Sequence, residues 1–320
     1  MAVGTPPTPA PGPAPAALGV YSAAREVSGR IGTWRGFVTS IRLGWQMEAN
    51  WTDPLLFLIY SVAKPVSSAL ILVFMLEVIA GEAGRSFRSF VVIGSALWAF
   101  VMSGIAGLSW AILEDRERYR MLKYLYVSPT SFLVLVLGRG IARLAVGAMG
   151  AVITLAIGVV TLEVPFDIAR VDWPLAVLSV VLGVVAIVAI AILLAAVCIQ
   201  TRQESWSYPE AAAGALFLVS GAVFPVAVLP APVQAIALLN PLTWWITGVR
   251  DALFPGGLSS IGGAGTVYAD WFGHASPAPL EVIVALLVTG AVATLVATVI
   301  FRASEHRAKD RGLLDRTTGS

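Results

Sequence analysis

The chain is poor in the residues that build catalytic and metal sites. Its 320 residues include one cysteine, Cys198, and two histidines, His274 and His306. A single cysteine excludes an intrachain disulfide framework and a thiolate metal cluster. The two histidines lie far apart in polar segments, so we expect a metal role for neither of them.

Charged residues are scarce as well. They make up 12% of the chain, about half of the share that soluble domains carry. Hydrophobic residues make up 58%. A soluble domain of this size cannot bury so much apolar surface in one core, so lipid is expected to be the solvent for most of it. The net charge of +2, without a basic stripe that contains interleaved aromatic residues, argues against a nucleic-acid partner.

The sequence also lacks the motifs of an energy-coupled enzyme. It contains no Gly-x-x-x-x-Gly-Lys-Ser/Thr phosphate loop, and no polar stretch is long enough for a nucleotide-binding domain. It has no cluster of His, Asp or Glu at membrane depth, as an intramembrane lipid-modifying transferase would need. We therefore expect no enzymatic activity and no cofactor in this chain.

Long apolar runs are what the sequence has in abundance. About 20 helical residues cross a hydrocarbon core, and six runs reach that length. They are residues 54–80, 88–113, 131–160, 173–199, 209–229 and 280–302. The predicted fold class is an all-α integral membrane protein with six transmembrane helices. Most Lys and Arg residues outside the runs fall on the side of the N-terminus, which predicts a multi-pass protein of the plasma (cell) membrane with both termini in the cytoplasm.

The rest of the chain divides into tails and shorter elements. Residues 1–27 are rich in Pro and Ala and are expected to form a disordered cytoplasmic tail, followed by a transmembrane domain over 28–303 and a cytoplasmic tail over 304–320. Residues 30–50 carry Trp34, Val38 and Trp45 at helical spacing, which predicts an amphipathic helix on the cytoplasmic membrane surface.

Two further segments stand out between the runs. Residues 231–255 are apolar but interrupted by Pro232 and Pro241, so each half is too short to span, and re-entrant helices are predicted on the extracellular side between the fifth and sixth spans. Residues 114–128 alternate charges around the apolar Leu122 and Leu125, which predicts a short cytoplasmic helix. The residues alone leave open whether this helix docks on a partner or is a solvated loop.

The order of these motifs resembles the type-2 ABC exporter permeases over roughly residues 31–302. The resemblance rests on the charged helix followed by Tyr-Val-Ser-Pro at 126–129, on Phe-Pro at 224–225 with Leu-Pro at 229–230, and on Asn-Pro-Leu at 240–242 followed by Arg250. One departure concerns the charged helix, where family members often carry Gly-Thr and this chain has Tyr119, Arg120 and Met121.

The resemblance implies specific partners and sites. The permease would pair with a second copy or a homologous permease and with ABC ATPase subunits that bind ATP and Mg²⁺, to export a drug, a lipid or a lipid-linked glycan. The residues implied in coupling to the ATPase are Glu117, Arg118, Tyr119, Leu122, Lys123 and Leu125. Those implied in the translocation path or gate are Phe224, Pro225, Asn240, Pro241, Trp244 and Arg250. Lys64 is added to them because a cation within the first run is costly unless it faces protein or water.

Several alternatives stay open from the sequence. An ion-coupled secondary transporter or channel subunit would typically show an internal repeat and acidic residues within spans. Here Glu77, near an outer end, is the only carboxylate more than two residues inside a predicted run. Lys64 either lines the path or extends to the membrane surface. Arg139 and Arg143 either bind lipid phosphates or line an entry portal. The small residues Ala211 to Gly214, Gly138, Gly147 and Gly150 suit either a seam between subunits or packing within one subunit.

Overall fold

The computed structural model describes residues 34–48, 53–81, 85–119, 131–161, 164, 166–201, 207–257 and 259–310. All the regular structure in these residues is helical. The predicted tail at 1–27, the coupling residues Leu122, Lys123 and Leu125, and residues 311–320 of the C-terminal tail lie outside them. Lys64 lies in a described helix, but its side chain is outside the described part.

The helices follow the predicted apolar runs closely. They are α1 (34–48), α2 (Pro54–Ala80), α3 (Arg85–Glu117), α4 (Phe132–Thr161), α5 (Trp173–Gln200), α6 (Ser207–Val219), a short 3-10 helix (Val226–Val228), α7 (Ala231–Leu239), α8 (Pro241–Leu253), α9 (Val267–Phe272) and α10 (Pro279–Asp310). The starts of α2 and α5 are fixed locally. Asp53 accepts a hydrogen bond from the backbone N–H of Leu55, and Asp172 accepts one from Leu175, each beside a proline in the first turn.

Contacts at the helix termini define the two ends of the bundle. We call the end that carries Glu114 and Arg143 the ion-pair end, and the opposite end the Arg250 end. Helix α5 begins at the Arg250 end, where the N–H of Asp172 donates to the carbonyl of Ala252 at 3.0 Å. Helix α10 ends at the ion-pair end, where Gln200 donates to Ser304. Helices α5 and α10 therefore run parallel.

Five of the described helices pass between the two ends: α2, α3, α4, α5 and α10. Helix α5 ends at the ion-pair end and α10 begins at the Arg250 end, so the chain between them returns to the Arg250 end. Helix α1 and the end of α10 lie at the same end of the bundle, because Glu48 pairs with Arg143 and Gln200 donates to Ser304.

Four of the described helices are long and apolar enough to cross a membrane. They are Phe87–Glu117, Phe132–Val160, Trp173–Gln200 and Pro279–Ala308. Helix α2 has 27 residues, of which the described apolar part is Val66–Ile79. Six membrane spans therefore remain a prediction.

The fifth predicted run is not one continuous helix. Residues 209–229 were expected to span, but α6 has 13 residues and ends at Val219, which gives it a length of about 20 Å. The chain turns at Gly221, whose φ of 72° lies in the left-handed region that glycine adopts without strain. The described part of this run is thus a short helix, a turn and the helices that follow.

Helix α3 forms the centre of the bundle and α10 its edge. In their most apolar stretches, 72% of the α3 residues are buried, compared with 17% for α10. Several of the small residues weighed for a subunit seam pack within the chain instead. A Cβ at Gly138 would meet Ser40 at 2.7 Å, and one at Gly147 would meet Ser103 at 2.4 Å, whereas one at Gly214 meets nothing within 4 Å.

Candidate functional site

A buried ion pair joins α3 to α4 at the ion-pair end. The Arg139 guanidinium binds the Asp115 carboxylate directly, and Glu114 lies 3.7 Å away. The side chains of Arg139 and Asp115 are 4% and 2% exposed. Arg139 also donates to the carbonyl of Ala111 at 3.4 Å. Removing water from two charges is costly, so each of them depends on the other for a partner.

Arg143 connects three helices at the same end. Its guanidinium lies 2.8 Å from Glu48 of α1 and 2.7 Å from Glu114 of α3. Helix α1 is fixed to α4 a second time by Ser40, whose hydroxyl donates to the carbonyl of Leu135 at 2.5 Å. Both arginines of α4 therefore pair with carboxylates of the same chain. The two sequence-based alternatives, a site for lipid phosphates and an entry portal, are replaced by an internal ion-pair network.

Arg116 extends this network to α5. Its Nη1 donates to the carbonyls of Cys198 and Thr201, each at 3.2 Å, and its Nε lies 2.7 Å from Glu117. These two carbonyls belong to the last turn of α5, where backbone acceptors lack helical partners and a cation is favourable. The charged end of α3 is thus attached to α1, α4 and α5.

The predicted coupling residues continue directly from this network. Glu114 to Glu117 form the last turn of α3, so they do not begin a separate helix. The N–H groups of Arg118 and Tyr119 both donate to the carbonyl of Glu114, at 2.9 and 2.8 Å, and end the helix. Arg118 and Tyr119 are exposed at that point, with the guanidinium 5.6 Å from the tyrosine ring.

Arg250 organises the opposite end. It is 3% exposed, and its two terminal nitrogens donate to the carbonyls of Phe90, Gly221 and Ala222 at 3.0–3.3 Å and to the hydroxyl of Ser260. The guanidinium carbon lies 3.6 Å from the centre of the Phe90 ring. A single side chain therefore connects α3, the turn after α6, and the segment after α8.

Helix α8 penetrates the bundle from the Arg250 end. Along α8, Ala252 contacts Asp172 at the start of α5, Gly248 faces Ser179, and Trp245 covers Gly183. Gly183 lies ten residues into α5, which corresponds to a depth of about 15 Å. The amino end of α8 thus lies deep and its carboxyl end lies at the surface of the bundle.

The residues predicted for the path or gate lie mostly within this packing. Asn240 caps α8 by accepting from the N–H of Leu242 at 3.1 Å, and Trp244 donates to the carbonyl of Leu238 at 2.7 Å; both side chains are buried. Pro241 is buried, while Phe224 and Pro225 are half-buried. Arg250 also lines a cavity of about 470 Å³ that opens at its end of the bundle. The assignment of these residues to a path or gate stays a prediction.

A hydrogen-bonded cluster covers α8 on the outside. Tyr268 of α9 packs edge-on against Trp244, with ring centres 6.2 Å apart, and donates to Glu281 at 2.8 Å. Burial, followed by the hydrogen bond and charge of Glu281, raises the pKa of Tyr268 above its ordinary value, so its hydroxyl stays protonated. His274 lies 2.9 Å from the other oxygen of Glu281.

The network at the ion-pair end was only partly visible in the sequence. Arg139 and Arg143 were recognised as charges within a span, four residues apart, but their partners were not. The sequence analysis places the acidic residues at the end of α3 in a separate cytoplasmic helix. It therefore does not show that they pair with the arginines of α4. A signal for this network is present in the sequence. Two acids follow directly on one apolar run, and two basic residues lie one helical turn apart in the next run.

The long apolar helices define a multi-pass α-helical membrane protein. The family model for the ABC-2 type transporter matches residues 40–254, about two-thirds of the chain, and the chain belongs to this family. The resemblance seen in the motifs is thereby confirmed. A search of curated proteins found no match.

Family membership sets the general role of the chain. It is the membrane subunit, or permease, of an ABC transporter, and members of this family are generally non-catalytic and typically work with an ABC ATPase partner. The alternative of an ion-coupled transporter or channel subunit is set aside by this membership.

Proposed function

We propose that this permease belongs to an ATP-driven exporter that moves an amphipathic or lipid-linked compound out of the cytoplasm. One observation supports the coupling part of the proposal: the charged end of α3, from which residues 120–130 depart, is attached by ion pairs and hydrogen bonds to α1, α4 and α5. A displacement of that segment by an ATPase would therefore reach three other helices.

The orientation in this proposal places the ion-pair end in the cytoplasm. The positive-inside bias of the sequence supports this placement. The common end of α1 and the end of α10 agrees with both termini lying on one side. Helix α1 then lies at the cytoplasmic membrane surface, and α7 and α8 re-enter from outside. The depth of Trp245 beside Gly183 supports the re-entrant arrangement, because non-helical backbone at membrane depth is tolerated where protein surrounds it.

The assembly we propose contains two permeases, as a homodimer or with a homologous chain, and an ABC ATPase that binds ATP and Mg²⁺. Residues Glu117 to Leu125 would form the docking segment, with apolar side chains in a groove of the ATPase and charges at its rim. Burial of Leu122 would contribute about 1.5–3 kcal/mol to docking. An exposed charge pair at the rim would contribute about 0–1 kcal/mol.

Affinity capture of the full-length chain from its native membranes tests this proposal. We expect the wild type to retain an ABC ATPase. Leu122→Asp should retain at least about tenfold less ATPase, because a carboxylate cannot enter an apolar groove. Arg118→Ala should act more mildly, because Arg118 is exposed and its charge would lie at the rim. The matched control is Ala264→Asp, which adds the same charge to an exposed loop at the Arg250 end.

Two results would contradict the proposal. The first is the absence of any ABC ATPase from the wild-type capture at normal membrane levels. The second is full retention of the ATPase by Leu122→Asp, which would make residues 120–130 a solvated loop.

A further inference from the structure

A groove in the side of the bundle is not used by the coupling network or by the Arg250 end. It lies among α2, α3, α4 and α6 and has a volume of about 450 Å³. Sites for drug-sized ligands fall between about 300 and 1,000 Å³. The groove is therefore large enough for one compact organic molecule.

Aromatic rings form much of the wall of this groove. Trp98 and Trp110 of α3 and Phe217 of α6 line it, and all three are half-buried. The rings of Trp98 and Phe217 lie with centres 4.7 Å apart. Faces of Trp and Phe rings attract both apolar groups and organic cations.

The polar groups of the groove favour a cation over an anion. Glu210, at the start of α6, is the only ionisable side chain among the described residues that line it. Ser95 donates its hydroxyl hydrogen to the carbonyl of Val91 at 2.6 Å, and Ser103 donates its own to the backbone carbonyl of Arg143 at 2.7 Å. With those hydrogens in use, the two hydroxyl oxygens remain available as acceptors.

Small residues keep the groove open. Gly214 lies on its wall one turn after Glu210, and a Cβ at this position would meet nothing within 4 Å. A larger side chain at Gly214 would therefore occupy the groove without displacing the bundle. Gly214 is also in a helix, where its replacement by a better helix former does not weaken the backbone.

We propose that this groove binds amphipathic organic cations, with Glu210 as counter-ion and the rings of Trp98, Trp110 and Phe217 as the apolar contact. This inference rests on the proposed export function and narrows its cargo to a cationic, drug-like class. A carboxylate beside aromatic faces attracts a delocalised cation by charge and by the ring quadrupoles, and it repels an anion of the same shape.

Tetraphenylphosphonium and tetraphenylborate provide matched probes, because they have the same shape and opposite charge. Binding of each to the purified full-length chain in zwitterionic nanodiscs is measured by equilibrium dialysis against empty nanodiscs. We expect saturable binding of the cation alone. Glu210→Gln should weaken it about tenfold or more, and Glu210→Asp should retain most of it.

Two further variants separate the groove from the rest of the molecule. Gly214→Leu should weaken binding by narrowing the groove one turn after Glu210. Asp270→Asn, which removes an exposed carboxylate on α9, should leave binding at the wild-type level. Thermal unfolding of each variant verifies that the bundle is intact. Equal binding of the borate, or unchanged binding by Glu210→Gln, would overturn the proposal.

A second copy of the chain or a lipid acyl chain could occupy the same groove. If a second copy fills it, Gly214→Cys cross-links between chains and the cation does not bind, which overturns the proposal. If an acyl chain fills the groove, Glu210→Gln has no effect on cation binding, which also overturns the proposal. The ATPase capture uses neither Glu210 nor Gly214, so a failure of cation binding and a failure of the export function are distinguishable.

Discussion

At the scale of residues, the two arginines of α4 are matched by carboxylates of neighbouring helices. Arg139 and Asp115 share one buried contact, and Arg143 is shared by Glu48 and Glu114. Replacing a buried pair by apolar side chains is often neutral, whereas removing one partner leaves an uncompensated charge. The buried pair of Arg139 and Asp115 therefore determines which helices pack together and adds little net stability.

The variant Arg139→Met measures the cost of removing one partner of the buried pair. We expect it to lower the free energy of unfolding by about 3–5 kcal/mol, because Asp115 loses the partner that offsets its burial. The double variant with Asp115→Leu should recover much of that loss. Chemical unfolding in detergent, followed by tryptophan fluorescence, gives the values.

Arg170→Met is the matched control for this experiment. Arg170 lies 3.3 Å from Asp167, but these side chains are 81% and 56% exposed, so the change should cost no more than about 1 kcal/mol. Similar losses for Arg139→Met and Arg170→Met would contradict the role given to burial.

At the scale of elements, α8 is held by close approaches that only glycine permits. Trp245 lies against Gly183, and the carbonyl of Ala222 lies against Gly94, where an added Cβ would be 1.6 Å from the oxygen. The Arg250 side chain fills the remaining space beside Gly94. The position of α8 thus depends on α3 and α5 having no side chain at these points.

Gly94→Ala should therefore disturb the seating of α8. We expect a loss of about 1–3 kcal/mol or more, because the added methyl group overlaps backbone that cannot rotate away. Gly214→Ala serves as the control and should be neutral or stabilising by up to about 1 kcal/mol. Thermal unfolding in detergent measures both, and an unchanged midpoint for Gly94→Ala would show that the turn at Ala222 can move.

The sequence predicted the long helices well because apolar length and proline positions are local properties. The starts of α2 and α5 and the separate helices on either side of Asn240 follow from them. The early end of α6 was missed, because Gly221 and Pro225 sit within an apolar run and composition does not register a turn. The partners of Arg139 and Arg250 were missed because they lie 24 residues and up to 160 residues away along the chain.

At the scale of the whole molecule, α1 and the end of α10 lie at the same end of the bundle. Labelling with a membrane-impermeant thiol reagent in intact cells tests which side that end faces. Ser276→Cys lies in an exposed loop at the Arg250 end and His306→Cys is exposed at the ion-pair end. We expect the first to react from outside and the second to react only after permeabilisation.

The wild-type chain is the control for this labelling, because its Cys198 is buried. Reaction of His306→Cys in intact cells, with protection of Ser276→Cys, would reverse the proposed orientation. Ser304 is unsuitable as a probe position, since its side chain is buried and bonded to Gln200 and Ala196.

The pair between Asp115 and Arg139 also imposes an order on biosynthesis. Asp115 leaves the ribosome 24 residues before Arg139, a delay of about 1–5 s at ordinary rates of translation. A lone charge costs up to about 2.5–3.5 kcal/mol at the centre of a membrane helix, and Arg139 lies about two turns inside α4. Helices α3 and α4 are therefore expected to leave the translocon together, as a hairpin whose charges neutralise each other before either helix meets lipid.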